Sequence, residues 1–287
     1  MAHMLKHIFL HALEDNIRII PFLFATYCIM EYLEKLMEEK SEGAVRYSGK
    51  LGPLLGGLLG VIPQCGFSAA AASFYSGGVI SLGTMLAIFW STSDEMLPIL
   101  ISAAVPVGTI FKILASKALI AVLAGFLVDF LLRKANLAQK HIHDLCEQEH
   151  CHCEGESSIW RSALVHTVKV WGFIFLVSLL LNLVLELGAE AALEQFASNH
   201  SLLAVILTGL VGLVPNCAAS VVITQLYLNG LISTGAMMSG LLVGAGVGVL
   251  VLFRTNRPMK QNVTILGLLY GVGIIAGYLI DLLGITF

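Results

Sequence analysis

Apolar residues occur in long runs that recur along the whole chain, among them Leu51 to Tyr75, Ala118 to Leu132, Trp171 to Leu185, Leu202 to Leu228 and Val263 to Leu283. Such runs read as membrane segments, because a helix needs about 20 apolar residues to cross a hydrocarbon core of roughly 30 Å. Polar residues gather between them, chiefly at 35–50 and 133–158. The pattern predicts an all-α polytopic membrane protein.

The runs repeat. Leu58-Leu-Gly-Val-Ile-Pro-Gln-Cys-Gly-Phe-Ser68 returns 152 positions later as Leu210-Val-Gly-Leu-Val-Pro-Asn-Cys-Ala-Ala-Ser220. Without a gap, the same offset pairs Tyr75 with Tyr227, Gly78 with Gly230, Ser81 with Ser233, Met85 with Met237, Pro106 with Pro258, and Asp129 with Asp281. Duplication explains this better than chance. The chain therefore divides into a first transmembrane repeat (1–132), a polar linker (133–158) and a second transmembrane repeat (159–287). Each half is expected to hold a long first helix (17–37 and 163–187), a segment broken at Pro-Gln-Cys or Pro-Asn-Cys, and two further helices (81–104 and 110–132; 233–252 and 263–283).

The broken segment decides the topology. If it crosses the membrane the repeats are parallel; if it enters and returns as a hairpin they are inverted. The hairpin arrangement puts Lys35, Lys40, Arg46, Lys50, Arg133, Lys134, Lys140, Arg161, Arg254, Arg257 and Lys260 on the cytoplasmic side, leaving Lys6, Arg18, Lys112 and Lys117 towards the outside. Charge thus favours two inverted repeats, each with three spanning helices plus a re-entrant, broken helical hairpin, ten segments in all. Both termini then face outside and the 133–158 loop is cytoplasmic, in a plasma-membrane protein. A hairpin arm such as Leu51 to Ile62 is roughly 18 Å of helix, so each tip is expected near the midplane, where irregular backbone needs protein or a water-filled cavity to satisfy it.

Composition agrees: 57% of residues are hydrophobic, 12% are charged and the mean hydropathy is +0.87, which leaves no room for a soluble domain. The first apolar run is flanked by Glu14, Asp15, Arg18, Glu31 and Glu34, so no cleavable signal is expected. Met1-Ala2-His3 before a second methionine reads as a vector-derived leader, and His3 is given no role. The net charge of −3 identifies no partner. The expected partner is the bilayer, without nucleic acid; self-association into a homo-oligomer stays open. Cys28, Cys65 and Cys217 lie in apolar surroundings while Cys146, Cys151 and Cys153 share one polar loop, which does not suit a secreted disulfide framework.

Chemistry is concentrated in three places. The hairpin tips offer matched ligands, Gln64, Cys65 and Ser68 in one half and Asn216, Cys217 and Ser220 in the other. A helix starting at each cysteine would favour its thiolate, and the proline frees an upstream carbonyl. The second place is Ser91-Thr-Ser-Asp94-Glu95, inside an apolar run, whose acidic pair has Gly246 and Val247 as offset equivalents. Ionisable groups at membrane depth cost on the order of 3 kcal/mol and mark ion or proton pathways. One of Asp94 and Glu95 is expected as ligand and the other as coupling carboxyl, if the Ser-Thr-Ser run breaks the helix. Gly240, Gly244 and Gly248, spaced by four in the counterpart segment, are read as close packing. The third place is the linker, where His141, His143, Cys146, His150, Cys151, His152 and Cys153 form an accessory set suited to borderline and soft metals. Glu31, Glu34, Asp129 and Asp281 are read as solvated positions near helix ends, and His166 and Lys169 as interfacial.

Taken together, Pro21-Phe-Leu-Phe-Ala-Thr-Tyr27 through Met30-Glu-Tyr-Leu33, Pro63-Gln-Cys-Gly-Phe-Ser68, Ser91-Thr-Ser-Asp-Glu95, Pro215-Asn-Cys-Ala-Ala-Ser220 and the His/Cys loop make the chain resemble the ten-helix heavy-metal exporters, also labelled manganese transporters or arsenic-efflux-like permeases. The resemblance implies metal efflux, most often of manganese. The ligands leave the metal open: carboxylate, amide and hydroxyl oxygens suit manganese, whereas Cys65 and Cys217 suit zinc, cadmium, copper or trivalent arsenic. No phosphate-binding loop of the Gly-x-x-x-x-Gly-Lys-Ser/Thr type occurs, so ion or proton exchange is the expected drive, with no required cofactor and no enzymatic activity. An intramembrane thiol enzyme using Cys65 or Cys217, and a passive channel, are the alternative readings.

Overall fold

The computed structural model describes residues 51–62, 65–93, 96–134, 201–256 and 258–287, with isolated positions between 13 and 28 and between 160 and 179. The described residues are helical, without strand, and the isolated positions are all helical too. The named helices are α1 (Gly52–Leu59), α2 (Cys65–Ser76), α3 (Leu82–Ser91), α4 (Met96–Ser102), α5 (Val107–Lys134), α6 (Ser201–Gly212), α7 (Cys217–Leu228), α8 (Thr234–Val243), α9 (Val247–Thr255) and α10 (Met259–Leu282). The starts of α7, α8 and α10 follow those of α2, α3 and α5 by 152 positions, the offset of the sequence repeat.

Local chemistry sets the helix ends. Ser81 and Ser233 are extended N-caps whose hydroxyls accept from the Thr84 and Ala236 amides at 3.1 Å. Each serine then donates its own proton to a carboxylate 48 residues further on, Ser81 to Asp129 Oδ2 and Ser233 to Asp281 Oδ2, both at 2.6 Å. The other oxygen of each carboxylate accepts from the Gly83 and Gly235 amides at 2.8 and 2.7 Å. A carboxylate thus sits on the positive end of α3 and another on that of α8, each held by the neighbouring long helix. The expectation that Asp129 and Asp281 are solvated is therefore corrected: Asp129 is buried and both side chains clamp a helix start.

Packing follows the same duplicated plan. α1 runs alongside α3 in the same sense, Gly52 against Thr84 and Gly60 against Ser91; α6 runs alongside α8, Gly209 against Ser239 and Gly212 against the Gly240 carbonyl. α2 begins at Cys65 and ends at Ser76, a short turn before Ser81. Its partner lies in the other half: α2 packs along α9, and α7 correspondingly packs on α4. A Cβ on Gly248, at the start of α9, would fall 2.8 Å from Ser68 Cβ, so only glycine allows this approach. At the far ends of the same two helices, Ser76 Oγ and Thr255 Oγ1 are 2.7 Å apart, and Gln261 donates to Tyr75 OH at 2.8 Å.

Two apolar cores result, each shared between halves. One joins Ala69 and Ala72 of α2 and Phe89 and Trp90 of α3 to Val251 and Leu252 of α9. The other joins Met96 and Leu100 of α4 to Val205, Ile223, Met237 and Leu241 of the second half. Among the described residues, three stretches are long and apolar enough to span a membrane. In the most apolar part of Thr234–Thr255 89% of the residues are buried within the protein, against 33% in Val107–Leu132 and 28% in Met259–Leu282. The α8–α9 stretch is accordingly an inner pillar, and α5 and α10 present Phe111, Leu123, Phe130, Val263 and Ile275 outwards, as lipid-facing helices do.

Two boundaries differ from expectation. The 81–104 segment is interrupted between α3 and α4, as the Ser-Thr-Ser run permitted, but the 233–252 segment is interrupted as well, at Gly244–Gly246. Gly246 has φ +53°, a conformation glycine adopts without Cβ strain. The glycines at 240, 244 and 248 serve close packing, yet not on one continuous face, because the chain turns between them. Glu31, Glu34, His166 and Lys169 lie outside the described residues.

Asp129→Ala removes the acceptor of the Gly83 amide and leaves the Ser81 hydroxyl to Thr84 Oγ1 at 2.7 Å, and Asp281→Ala removes the acceptor of the Ser233 hydroxyl and the Gly235 amide. Each is expected to destabilise the detergent-solubilised protein by about 1–3 kcal/mol, with the asparagine variants intermediate. Thermal unfolding followed by fluorescence-detected size exclusion measures this, and unchanged melting of either alanine variant would contradict the clamp.

Candidate functional site

α1 and α6 end where the helices beside them break. α1 stops at Gly60 beside Ser91, and α6 at Gly212 beside Gly240 and Val243. At the second tip, Pro215 cannot donate a backbone hydrogen bond. The chain there turns through Val214 N–H to Val211 O (3.0 Å) and Asn216 N–H to Val214 O (2.8 Å). Asn216 directly precedes α7, a position its side chain favours, and its carbonyl takes the Ala219 amide at 3.2 Å.

The first break begins with three hydroxyls that turn back on the helix. Ser91 donates to Ala87 O at 2.8 Å, Thr92 to Ile88 O at 2.7 Å and Ser93 to Ser91 O at 3.1 Å. The Thr92 amide also ends on Ile88 O, and the backbone then turns to extended angles, so the Thr92 carbonyl leaves the helix ladder. At the second break the Gly244 amide still reaches Gly240 O, but the Ala245 amide bonds Val243 O at 2.8 Å. The Leu241 carbonyl, which Ala245 would have capped in a continuous helix, is released. Both carbonyls are taken by one side chain: Lys117 of α5 donates to Thr92 O and, at 3.0 Å, to Leu241 O.

Lys117 is fully buried, which corrects its expected place towards the outside. It is twelve residues from the Asp129 clamp, roughly 18 Å along the helix and about halfway through a hydrocarbon core. Its offset equivalent is Leu269, whose carbonyl accepts from Trp90 Nε1 at 3.2 Å. The two halves thus differ here, with an ammonium on one side only. The negative ends of α3 and α8 converge on that ammonium, while α2, α4, α7 and α9 begin from the breaks and tips around it.

Of the residues expected at the site, Ser68 is fully buried against Gly248, and Asn216 and Ser220 are half-buried. Ser220 O accepts from Thr224 Oγ1 at 2.7 Å. Cys65 and Cys217 are the first residues of α2 and α7, and their side chains lie outside the described set. So do Gln64, Asp94, Glu95 and the loop residues His141, His143, Cys146, His150, Cys151, His152 and Cys153. Among the described residues no three His, Cys, Asp or Glu side chains group as a metal site. What is brought together is therefore oxygen from two broken helices and a fixed cation, with Ser68 buried against the start of α9. Lys117 was missed although its signal was present: a cation inside an apolar run, in the half that also carries the acidic pair, with an apolar offset equivalent.

The family model described as "Putative, 10TM heavy-metal exporter" matches residues 4–193 and 175–286. No curated protein and no solved structure gives a significant match. A helical chain with lipid-facing spans, broken inner helices and a buried charge at their breaks is consistent with that description, and the chain belongs to the ten-transmembrane heavy-metal exporter family.

Proposed function

We propose that this protein is a secondary-active transporter that exports a divalent or heavy-metal ion through the centre where its two broken helices meet. The observation that carries this reading is the burial of Lys117 between the freed carbonyls of Thr92 and Leu241. Buried charge at the breaks of discontinuous helices is how many transporters build a midplane site. Manganese is the favoured cargo, with zinc, cadmium and arsenite as the other metals the ligand set suits. Gln64, Cys65, Ser68, Asp94, Glu95, Asn216, Cys217 and Ser220 are the proposed cargo residues, and Asp94 or Glu95 couples export to protons or another ion. The His/Cys loop collects metal on the cytoplasmic side.

The two halves are inverted repeats in this account. Support comes from which ends lie together. The end of α9 is bonded to the end of α2 through Thr255 and Ser76, and the start of α10 to α2 through Gln261 and Tyr75. The end of α5 is clamped by Asp129 to the start of α3, close to that same end of α2. α5 therefore finishes at the face where α10 begins, and α10 finishes with Asp281 at the start of α8. The first hairpin enters and leaves at one face and the second at the other, which agrees with the segregation of lysine and arginine. The 133–158 loop follows α5 on the cytoplasmic face, and both termini face outside.

Two outcomes test the reading in proteoliposomes with a metal panel. Asp94→Asn or Glu95→Gln removes charge at nearly constant volume. At least one should cut metal flux roughly tenfold or more, equivalent to ~1.4 kcal/mol in the barrier, and the coupling carboxyl should also lose pH dependence. Cys65→Ser and Cys217→Ser should reduce soft-metal flux more than manganese flux. Unchanged metal-stimulated flux in all four variants at normal abundance would sink the proposal. Deleting His141 to Glu156 should weaken transport at low metal concentration only; complete loss of flux from a stable deletion would show the loop to be part of the path.

A further inference from the structure

We propose that the Lys117 ammonium is a tethered stand-in for a monovalent cation, filling a cation site built by the C-terminal ends of α3 and α8. The site is recognisable without its occupant. Thr92 O has left the α3 ladder, and Leu241 O has lost its helical donor because the Ala245 amide turns to Val243 O. Both carbonyls belong to helix ends whose dipoles place partial negative charge at the same point. Unwound carbonyls at half-helix C-termini are the groups that coordinate alkali ions in broken-helix transporters. Here an ammonium, similar in charge and size to potassium, donates to both oxygens from a wholly buried side chain. The stem arrives from α5, so the cation belongs to the chain and does not exchange with solution. The offset equivalent of Lys117 is the apolar Leu269, so the device belongs to one half.

The consequence is that the native centre is indifferent to sodium and potassium, whereas a chain without the ammonium presents two converging carbonyls with room for a free ion. Lys117→Ala opens that room. Lys117→Met removes the charge and fills it. Purified protein is melted in chloride salts of sodium, potassium, methylammonium and N-methylglucamine at one ionic strength. The wild type is expected to melt alike in all four. Lys117→Ala should melt at least about 5 °C lower in N-methylglucamine and recover half or more of the loss in sodium, potassium or methylammonium. Lys117→Met should show the loss without recovery. Where Lys117→Ala yields no folded protein in N-methylglucamine, a folded peak regained in one of the three small cations supports the proposal, and none regained in any of them overturns it. Lys117→Ala melting like the wild type, or destabilised alike in all four salts, also overturns it. In proteoliposomes, metal flux should gain in Lys117→Ala a sodium or potassium requirement beyond any coupling ion that the wild type uses. That arm rests on the transport reading and the melting arm does not, so failure of either reading is told apart from failure of the other.

Discussion

A helix that breaks inside a membrane releases carbonyls that no water can satisfy, and this chain breaks its two inner helices at the same depth. The cost of an unsatisfied peptide group there is several kcal/mol, so the breaks survive only with donors supplied from elsewhere. Lys117 supplies both at once. One side chain thereby fixes the distance between α3 and α8, the depth of α5 against them and the place where charge is concentrated. At the first break the Ser93 hydroxyl caps the Ser91 carbonyl, while the Ser91 and Thr92 hydroxyls bond back to the last turn of α3.

Around that point the halves are interlocked. Each crossing begins as a half-helix packed in its own repeat and ends as one packed in the other, α9 along α2 and α4 against α7. Neither core is complete within one repeat, since Phe89 and Trp90 share a core with Val251 and Leu252, and Met96 and Leu100 share one with Ile223 and Met237. The Asp129 and Asp281 clamps fix the starts of α3 and α8 near the membrane surfaces. Rigid ends with irregular middles are a suitable framework for alternating exposure of a central site.

The sequence revealed the repeat because it preserves spacing and residue type together: Ser81, Asp129, Ser233 and Asp281 all appear at the common offset. It did not reveal the clamp, because a bond across 48 residues leaves no mark in local periodicity, and a carboxylate near a helix end looks solvated by default. Lys117 was misplaced for a similar reason. Counting lysines for topology treats each as a surface charge, whereas the partners of this one among the described residues include two carbonyls freed only once the helices break. The break at Gly244–Gly246 was hidden because an apolar, glycine-containing run looks like a continuous spanning helix; the Ser-Thr-Ser break was legible because its hydroxyls compete with the backbone. Ser68 was read as a buried tip residue, and it is buried beside the second break. The acidic pair, Gln64 and the His/Cys loop fall outside the described residues, so their reading still rests on residue chemistry alone.

Two oppositely oriented halves that meet at one mid-membrane point must expose equivalent positions of the repeat on opposite sides of the membrane. Val79 and Leu231, one in each turn that follows the returning hairpin helix, are 152 positions apart. With the six native cysteines replaced by serine, Val79→Cys and Leu231→Cys are exposed to an impermeant thiol reagent in intact cells and again in inverted vesicles. The account requires Leu231→Cys to react only in intact cells and Val79→Cys only in inverted vesicles. Labelling of both from the same side would contradict it.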